Sequence, residues 1–152
     1  MKVCYNQETC FLEFILHSKP ILMTRKETAN FIHLAALSVQ KAIDSNPLSR
    51  KSVTQLVPDL YVGRNQLQTA FKQLTKQTIK RYRLIKRMEA ARDLLSSEVE
   101  SVKEVALQCG YRNPGNFNKD FKEVFNKTPG EWLNDNLKNK YNGYNQNSHG
   151  DG

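Results

Sequence analysis

One pattern occurs twice in this chain of 152 residues, at residues 52–74 and again at residues 101–124. Each copy begins with Ser-Val, continues with apolar residues at helical spacing, breaks at a turn and then resumes at helical spacing. With the two Ser-Val pairs in register, Phe71 falls opposite Phe121 after one residue of slack behind the turn. A helix, a tight turn and a second helix form the outline of a helix-turn-helix motif, so the sequence predicts two such motifs.

The second copy carries helix breakers, Asn113-Pro114-Gly115, at the head of its second apolar series. Asn113 is a favourable N-cap, and Pro114 suits the first helical position because its missing N–H has no intrahelical partner there. Gly110 can supply the positive φ that the preceding turn needs. The breakers therefore mark the start of a helix that continues to about Phe125.

Apolar residues at helical spacing predict an all-α fold of about seven helices, with no sheet between residues 28 and 132. Ser49 or Ser52 can cap the second helix, and Pro58 stops it because the residue before a proline avoids the α region. Ser101 opens a capping box before the fifth helix. The predicted helices cover residues 28–45, from Ser49 or Ser52 to about 57, 64–75, 79–96, 102–109 and 114–125, with a short last helix around Trp132.

The two ends of the chain are predicted to lie outside this helical region. Residues 1–27 form an extension whose apolar stretch fits a strand pair or a short helix. Residues 134–152 form a tail that ends with almost no apolar content besides tyrosine, and we expect it to be mobile.

Positive charge is concentrated in one segment of the chain. The formal net charge is +8, and eight Lys or Arg residues but only one Glu lie between Phe71 and Arg92. Such a balance indicates an anionic partner, either nucleic acid or an acidic membrane surface. No apolar run has the length of a membrane span, and the N-terminal residues make a poor signal peptide. Three cysteines without a CxxC pair favour a reducing compartment, so we expect a cytoplasmic protein.

Two stretches, SVKEVALQCGYRNPGNFNKDFKEVFNKTPGEW and IKRYRLIKRMEAARDLL, carry a family resemblance. The first has these residues in the family's register: Ala106, the Gly110-Tyr111 pair, Phe117, the Phe121-Lys122 pair, Phe125 and Thr128-Pro129. The second has Arg87, Ala91 and Leu94-Leu95 as in the family's linker helix. Residues 28–133 thereby resemble the DNA-binding domain of AraC/XylS-type bacterial transcription regulators.

The resemblance implies a first helix-turn-helix at about residues 49–75, a linker helix at about 79–96 and a second helix-turn-helix at about 101–125. Both recognition helices would face one side of the DNA, in successive major grooves. A linker of ~19 residues spans ~28 Å, comparable with the ~34 Å between successive major grooves on one face. Residues 1–27 are too few for the family's usual jelly-roll effector-binding domain, so we expect that domain to be missing.

The function that the resemblance implies is that of a sequence-specific double-stranded DNA-binding transcription regulator. Double-stranded DNA is then the partner, RNA polymerase is a further partner that the resemblance allows, and a membrane partner is not expected. The oligomeric state stays open. We expect no cofactor, no metal and no enzymatic activity, and a cytoplasmic location in bacteria, on the nucleoid through DNA binding.

Carried over by motif position, the exposed faces of the two recognition helices supply the candidates for reading base edges. These are Arg64, Asn65, Gln68 and Thr69 in the first motif, and Arg112, Asn113, Asn116 and Lys119 in the second. The candidates for phosphate contacts are Ser52, Lys72, Lys76, Ser101 and Lys122. Pro114 and Gly115 replace longer side chains, so we expect the second helix to read fewer bases and to rely more on phosphates.

Each of these candidate residues also has an interpretation without a functional role. A polar helix face can simply be solvated, and Arg87 on the linker helix fits a structural tie to the first subdomain as well as a DNA contact. Cys109 is expected to be a small core residue. The three histidines share no helical face, so a metal or catalytic site is not expected.

Three rival functions remain at this point. A binder of RNA or single strands would expose aromatic residues between its cations, whereas the aromatic residues here fall on the inner helical faces. A protein-interaction module on a helix-turn-helix scaffold is the second rival, because Pro58 and Pro114-Gly115 depart from the family's pattern in the two motifs. Tyr61, where the family commonly has glycine, is a further departure in the first motif. An enzyme is the third rival, and the sequence offers no site for one.

Overall fold

The fold is all-α, with seven helices and no strand in the part of the chain that the computed structural model describes, residues 24–58, 60–97 and 101–145. The helices are α1 (Arg25–Ser45), α2 (Val53–Leu56), α3 (Arg64–Thr75), α4 (Ile79–Ser96), α5 (Val102–Gln108), α6 (Pro114–Phe125) and α7 (Pro129–Asn145). The predicted all-α class is thereby confirmed. Residues 1–23, most of the predicted N-terminal extension, lie outside the described residues.

The described part of the chain divides into two compact units. The first contains most of α1 together with α2 and α3, and the second contains residues 43–50 together with α4 to α7. Each unit thus carries one of the two helix-turn-helix motifs predicted from the sequence.

In the first unit, α1 buries Ala35, Ala36 and Val39, and α3 buries Leu67 and Phe71. The short helix α2 ends at Leu56, two residues before Pro58, as the conformational preference of a residue before proline requires. Helix α3 ends at Thr75, and its C-cap Lys76 has the left-handed conformation, with φ 60°. The left-handed cap thus closes the helix that carries the exposed polar face of the unit.

The core of the second unit lies where α4, α5, α6 and α7 pack together. Its fully or nearly fully buried side chains are Met88, Ala91, Leu95, Val105, Ala106, Cys109, Phe117 and Phe121. Phe121 lies between two other rings, with centroid distances of 5.8 Å to Phe117 and 4.7 Å to Phe125. Burying a phenylalanine side chain contributes about 1.5–3 kcal/mol, so this aromatic row is a main source of the unit's stability.

Four helix boundaries differ from the predictions, and one of them is the end of α2, which is Leu56 rather than residue 57. Helix α1 begins at Arg25 rather than at residue 28, because Thr24 and Glu27 form a capping box in which the Glu27 N–H donates to Thr24 Oγ1 at 3.3 Å. Helix α5 ends at Gln108, one residue early, with Cys109 as its C-cap.

Helix α7 is much longer than the short helix predicted around Trp132. It starts behind a reciprocal cap between Thr128 and Glu131 and continues to Asn145, with Trp132 and Leu133 packed against the core of the second unit. The mobility predicted for residues 134–152 stays a prediction, and residues 146–152 lie outside the described part.

Candidate nucleic-acid interface

Both helix-turn-helix motifs begin with a serine that caps the first helix of the pair. In the first motif, the Gln55 N–H donates to Ser52 Oγ at 3.3 Å while the Ser52 N–H donates to Gln55 Oε1 at 2.9 Å. In the second motif, the Glu104 N–H donates to Ser101 Oγ at 3.3 Å while the Ser101 N–H donates to Glu104 Oε2 at 2.8 Å. The predicted capping box at Ser101 is therefore present.

The turn of the second motif is built around Gly110, which has φ +83°. The Gly110 N–H donates to Leu107 O and the Tyr111 N–H donates to Ala106 O, both at 2.8 Å. These paired bonds are a Schellman motif, which closes α5 and reverses the chain direction before α6. The positive φ predicted for Gly110 follows from this geometry.

Helix α6 starts as the sequence predicts, with Pro114 at its first position. Asn113 is the N-cap, and its Oδ1 accepts the Gly115 N–H at 2.8 Å. The cap uses one of the two lone pairs of Asn113 Oδ1, and its Nδ2 group remains available to contact a base.

The first recognition face lies on α3, opposite the buried Leu67 and Phe71. All four base-reading candidates on it are exposed, and none forms a hydrogen bond or ion pair within the described residues: Arg64, Asn65, Gln68 and Thr69. Lys72 continues the same exposed face by one turn. Lys76 is exposed too, with its Nζ donating to Gln73 O at 3.0 Å.

The second recognition face lies on α6 and on the turn before it. Its candidates Arg112, Asn116, Lys119 and Lys122 are all exposed, opposite the buried Phe117 and Phe121. Asn118 is exposed on this face as well and lies three residues before Phe121, as Gln68 lies three before Phe71. Sequence reasoning missed Asn118, although pairing the two phenylalanines would have found it.

The two serine candidates for phosphate contacts have hydroxyl groups that are already engaged. Ser52 Oγ also lies 2.9 Å from Thr54 Oγ1, and Ser101 Oγ donates to Glu104 Oε2 at 2.8 Å. Hydrogen bonds from the Ser101 backbone and side chain lower the pKa of Glu104, so this carboxylate is charged at neutral pH. A negative charge beside Ser101 opposes a phosphate there, whereas the neutral Gln55 beside Ser52 does not.

Helix α4 uses most of its positive charge inside the second unit. Arg81 pairs with Glu123, Lys86 Nζ lies 2.9 Å from Glu89 Oε2, and Arg92 Nη2 lies 2.9 Å from Asp93 Oδ1. Of the cations between Phe71 and Arg92, these three therefore contribute less to an external anion site than the sequence count implies.

Two further arginines of α4 converge on one backbone carbonyl. Arg83 Nη2 lies 2.8 Å and Arg87 Nη2 lies 3.4 Å from Ser49 O. Burial, together with the charge of Arg87, lowers the pKa of Arg83. Ser49 belongs to the second unit, so the structural contact of Arg87 is made within that unit.

Among residues 24–58, 60–97 and 101–145, no group of three or more His, Cys, Asp or Glu side chains could hold a metal ion. Over the same residues, no helix is both long enough and apolar enough to cross a membrane. Cys109 is buried in the core of the second unit, as expected.

A family model described as "Helix-turn-helix domain" matches residues 56–135 of the chain. Among curated relatives, the HTH-type transcriptional regulator ArgR of Pseudomonas aeruginosa is 29% identical over 96 residues, which cover 63% of this chain and 28% of that protein. The xylose operon regulatory protein of Escherichia coli K12 is 25% identical over 116 residues, covering 74% of this chain and 30% of that protein. The chain thus spans less than a third of the length of these relatives.

Solved structures share the fold. A probable AraC family transcriptional regulator from Rhodopseudomonas palustris superposes with a TM-score of 0.59 at 24% identity, over 66% of this chain and 95% of that one. The DNA-binding domain of AdpA, solved in complex with a target DNA, superposes with a TM-score of 0.58 at 23% identity, over 65% of this chain and 89% of that one.

Proposed function

Because this chain belongs to the AraC/XylS-type helix-turn-helix family, we propose that it is a sequence-specific double-stranded DNA-binding transcription regulator. Residues 28–133 are the segment that we assign to DNA binding. The observation that carries the proposal is the pair of exposed polar faces on α3 and α6, each backed by two buried apolar side chains. A helix in a major groove needs such a face, because short amides and cations pair with base edges and phosphates there.

The side chains of α3 support base reading in particular. Gln68 and Asn65 are exposed on successive turns and form no hydrogen bond within the described residues, so their amide groups remain available. Glutamine and asparagine can pair bidentately with adenine through its N6 and N7 atoms. We therefore assign the first motif the larger share of direct base reading.

The second motif is proposed to contribute more through phosphates. Pro114 and Gly115 provide no polar side chain at the first turn of α6, and Asn113 uses its acceptor as a cap. Lys119 and Lys122 remain exposed on later turns and carry the positive charge that a phosphate needs.

The wider setting follows from the same proposal. The two motifs would occupy successive major grooves on one side of the duplex, as the family resemblance implies. Since relatives of this chain are operon regulators by name, we propose RNA polymerase as a further partner and the bacterial cytoplasm, on the nucleoid, as the location.

The test is a selection of binding sites from random duplex DNA with the full chain, followed by titration of the selected site by fluorescence anisotropy. We expect one preferred sequence, and a fall in affinity of a thousandfold or more between ~50 and ~200 mM salt if six or more phosphates are bound. Equal affinity for the corresponding single strands would favour the single-strand rival. No selected sequence combined with a flat salt response would contradict the proposal.

A further inference from the structure

Arg50 is a cation that lies on neither helix of the second helix-turn-helix motif but contacts the turn of that motif. A Cβ atom placed on Gly110 would be 2.1 Å from Arg50 Nε and 2.5 Å from Arg50 Cζ, so the guanidinium group lies directly against the glycine backbone. Both residues belong to the second unit. Gly110 is thus needed for two reasons, its positive φ and the close approach of Arg50.

Arg50 has no internal acceptor to account for this position. It is exposed, and it forms no hydrogen bond or ion pair with any residue that the structure describes. A guanidinium group has five N–H donors, and packing against Gly110 satisfies none of them. These donors therefore remain available to an external anion.

The surroundings of Arg50 are positive. Arg83 and Arg87 both reach Ser49 O, the carbonyl immediately before Arg50 in the chain. Beside Gly110, the Tyr111 hydroxyl donates to Asp120 Oδ2 at 2.6 Å, so that carboxylate already has a partner. Two guanidinium groups at Ser49 O and a third on the next residue favour an anion at Arg50, the exposed member of the three.

The position of Arg50 relates it to α6. The turn that it contacts continues through Arg112 to the N-cap Asn113, so the guanidinium lies beside the chain segment that leads into the second recognition helix. The first turn of that helix has no cationic side chain of its own.

We propose that Arg50 binds a phosphate of the DNA backbone beside the second recognition helix, as a phosphate contact supplied from outside the motif. The inference rests on the proposed function and adds one residue to its interface. Because a phosphate contact carries no direct sequence information, Arg50 contributes to affinity and to the register of α6, not to the choice of bases.

The experiment compares the full chain with Arg50→Gln, Arg50→Lys and the control Lys41→Gln, which removes an exposed cation of α1. Each variant is titrated against the selected duplex, and against single-base changes of it, at several salt concentrations. Arg50→Gln should reduce the slope of log affinity against log salt by ~1 and lower affinity for every duplex by about tenfold. Arg50→Lys should retain most of the slope because it keeps the charge, and Lys41→Gln should leave the slope unchanged.

Other outcomes separate this inference from its alternatives. An unchanged slope in Arg50→Gln overturns it, and if the melting temperature falls at the same time, Arg50 only packs against the turn. A loss of preference at particular base pairs overturns it too, because Arg50 would then read bases. If the unsubstituted chain binds no duplex at all, the proposed function fails, whereas duplex binding with an unaltered Arg50→Gln slope defeats this inference alone.

Discussion

Replacing Gly110 by alanine tests the turn on which the second motif depends. An L-residue in the left-handed region costs roughly 1–2 kcal/mol, and Gly110 has φ +83°. The new Cβ atom would also displace the Arg50 guanidinium, but that group is the exposed end of a flexible side chain. Its displacement should add about 0.5 kcal/mol or less, as for an ordinary surface change. We therefore expect Gly110→Ala to lower the free energy of unfolding by about 1–2.5 kcal/mol.

Urea denaturation followed by tryptophan fluorescence measures the free energy of unfolding of the second unit. Trp132 is the single tryptophan of the chain and packs against the core of the second unit, so its emission reports on that unit. With a denaturant slope of ~1.5 kcal/mol/M, the midpoint should fall by about 0.7–1.7 M. Gly130→Ala is the matched control. Gly130 is helical, and a Cβ atom there would meet nothing within 4 Å, so this change should stabilise the protein by up to ~1 kcal/mol.

The same substitution in an Arg50→Ala background separates the two contributions. Without the guanidinium group, only the backbone cost of about 1–2 kcal/mol should remain. If Gly110→Ala proves as harmless as Gly130→Ala, the positive φ and the close approach do not govern this turn, and the reasoning is refuted. If the cost disappears in the Arg50→Ala background, the steric conflict is the main cause and the backbone argument is wrong.

Three further expectations concern the core, acid and the DNA-binding faces. Phe121→Ala removes a fully buried ring between two others and should lower the free energy of unfolding by about 3–5 kcal/mol in the same urea experiment. Hydrogen bonds from the backbone N–H groups of Ser101 and Thr128 lower the pKa values of Glu104 and Glu131 from their ordinary 4.5. Because the pKa values of both carboxyl groups are lower in the folded than in the unfolded protein, their contribution to stability is present above the unfolded pKa. This contribution is lost as pH falls through the folded pKa values. The urea midpoint should therefore decline below about pH 5, and it should decline less in Glu131→Gln. Gln68→Ala should relax preference at defined base pairs by ~1–3 kcal/mol, whereas Lys119→Ala should weaken all duplexes alike; greater damage to specificity from Lys119→Ala would make α6 the main reader.

Helix boundaries could be predicted from the sequence wherever a local signal determines them. The bounds of α3, α4 and α6 agree with the prediction residue for residue. For α6, the N-cap Asn113 and the first-position Pro114 act through neighbouring backbone groups, so three or four letters of sequence contain the cause. The start of α1 could also be predicted from the sequence, because Thr24 and Glu27 have capping-box spacing. The prediction placed it at residue 28 because the apolar periodicity begins later.

The length of α7 could not be predicted from the amino-acid composition of its second half. Asparagine and lysine dominate its second half, and asparagine is a weak helix former, so the residues beyond Trp132 resemble a tail. The helix is anchored at its start by the Thr128 cap and by Leu133 packed on the core. Once a helix is nucleated in this way, each further residue adds a backbone hydrogen bond at low cost, so the sequence pattern underestimates its length.

The charge available to a partner was the least predictable property, because a count of lysines and arginines does not reveal which of them have partners inside the protein. Arg83 and Arg87 are far along the chain from Ser49, and no local pattern shows that both reach its carbonyl. Six cationic side chains near the two motifs form no hydrogen bond or ion pair within the described residues: those of Arg50, Arg64, Lys72, Arg112, Lys119 and Lys122. If each met one phosphate, the salt slope would be about −5, since each neutralised phosphate contributes about −0.9. A slope near that value would place the electrostatic interface on the two motifs and Arg50, whereas a much steeper one would require the paired cations of α4 to exchange their internal partners for phosphates.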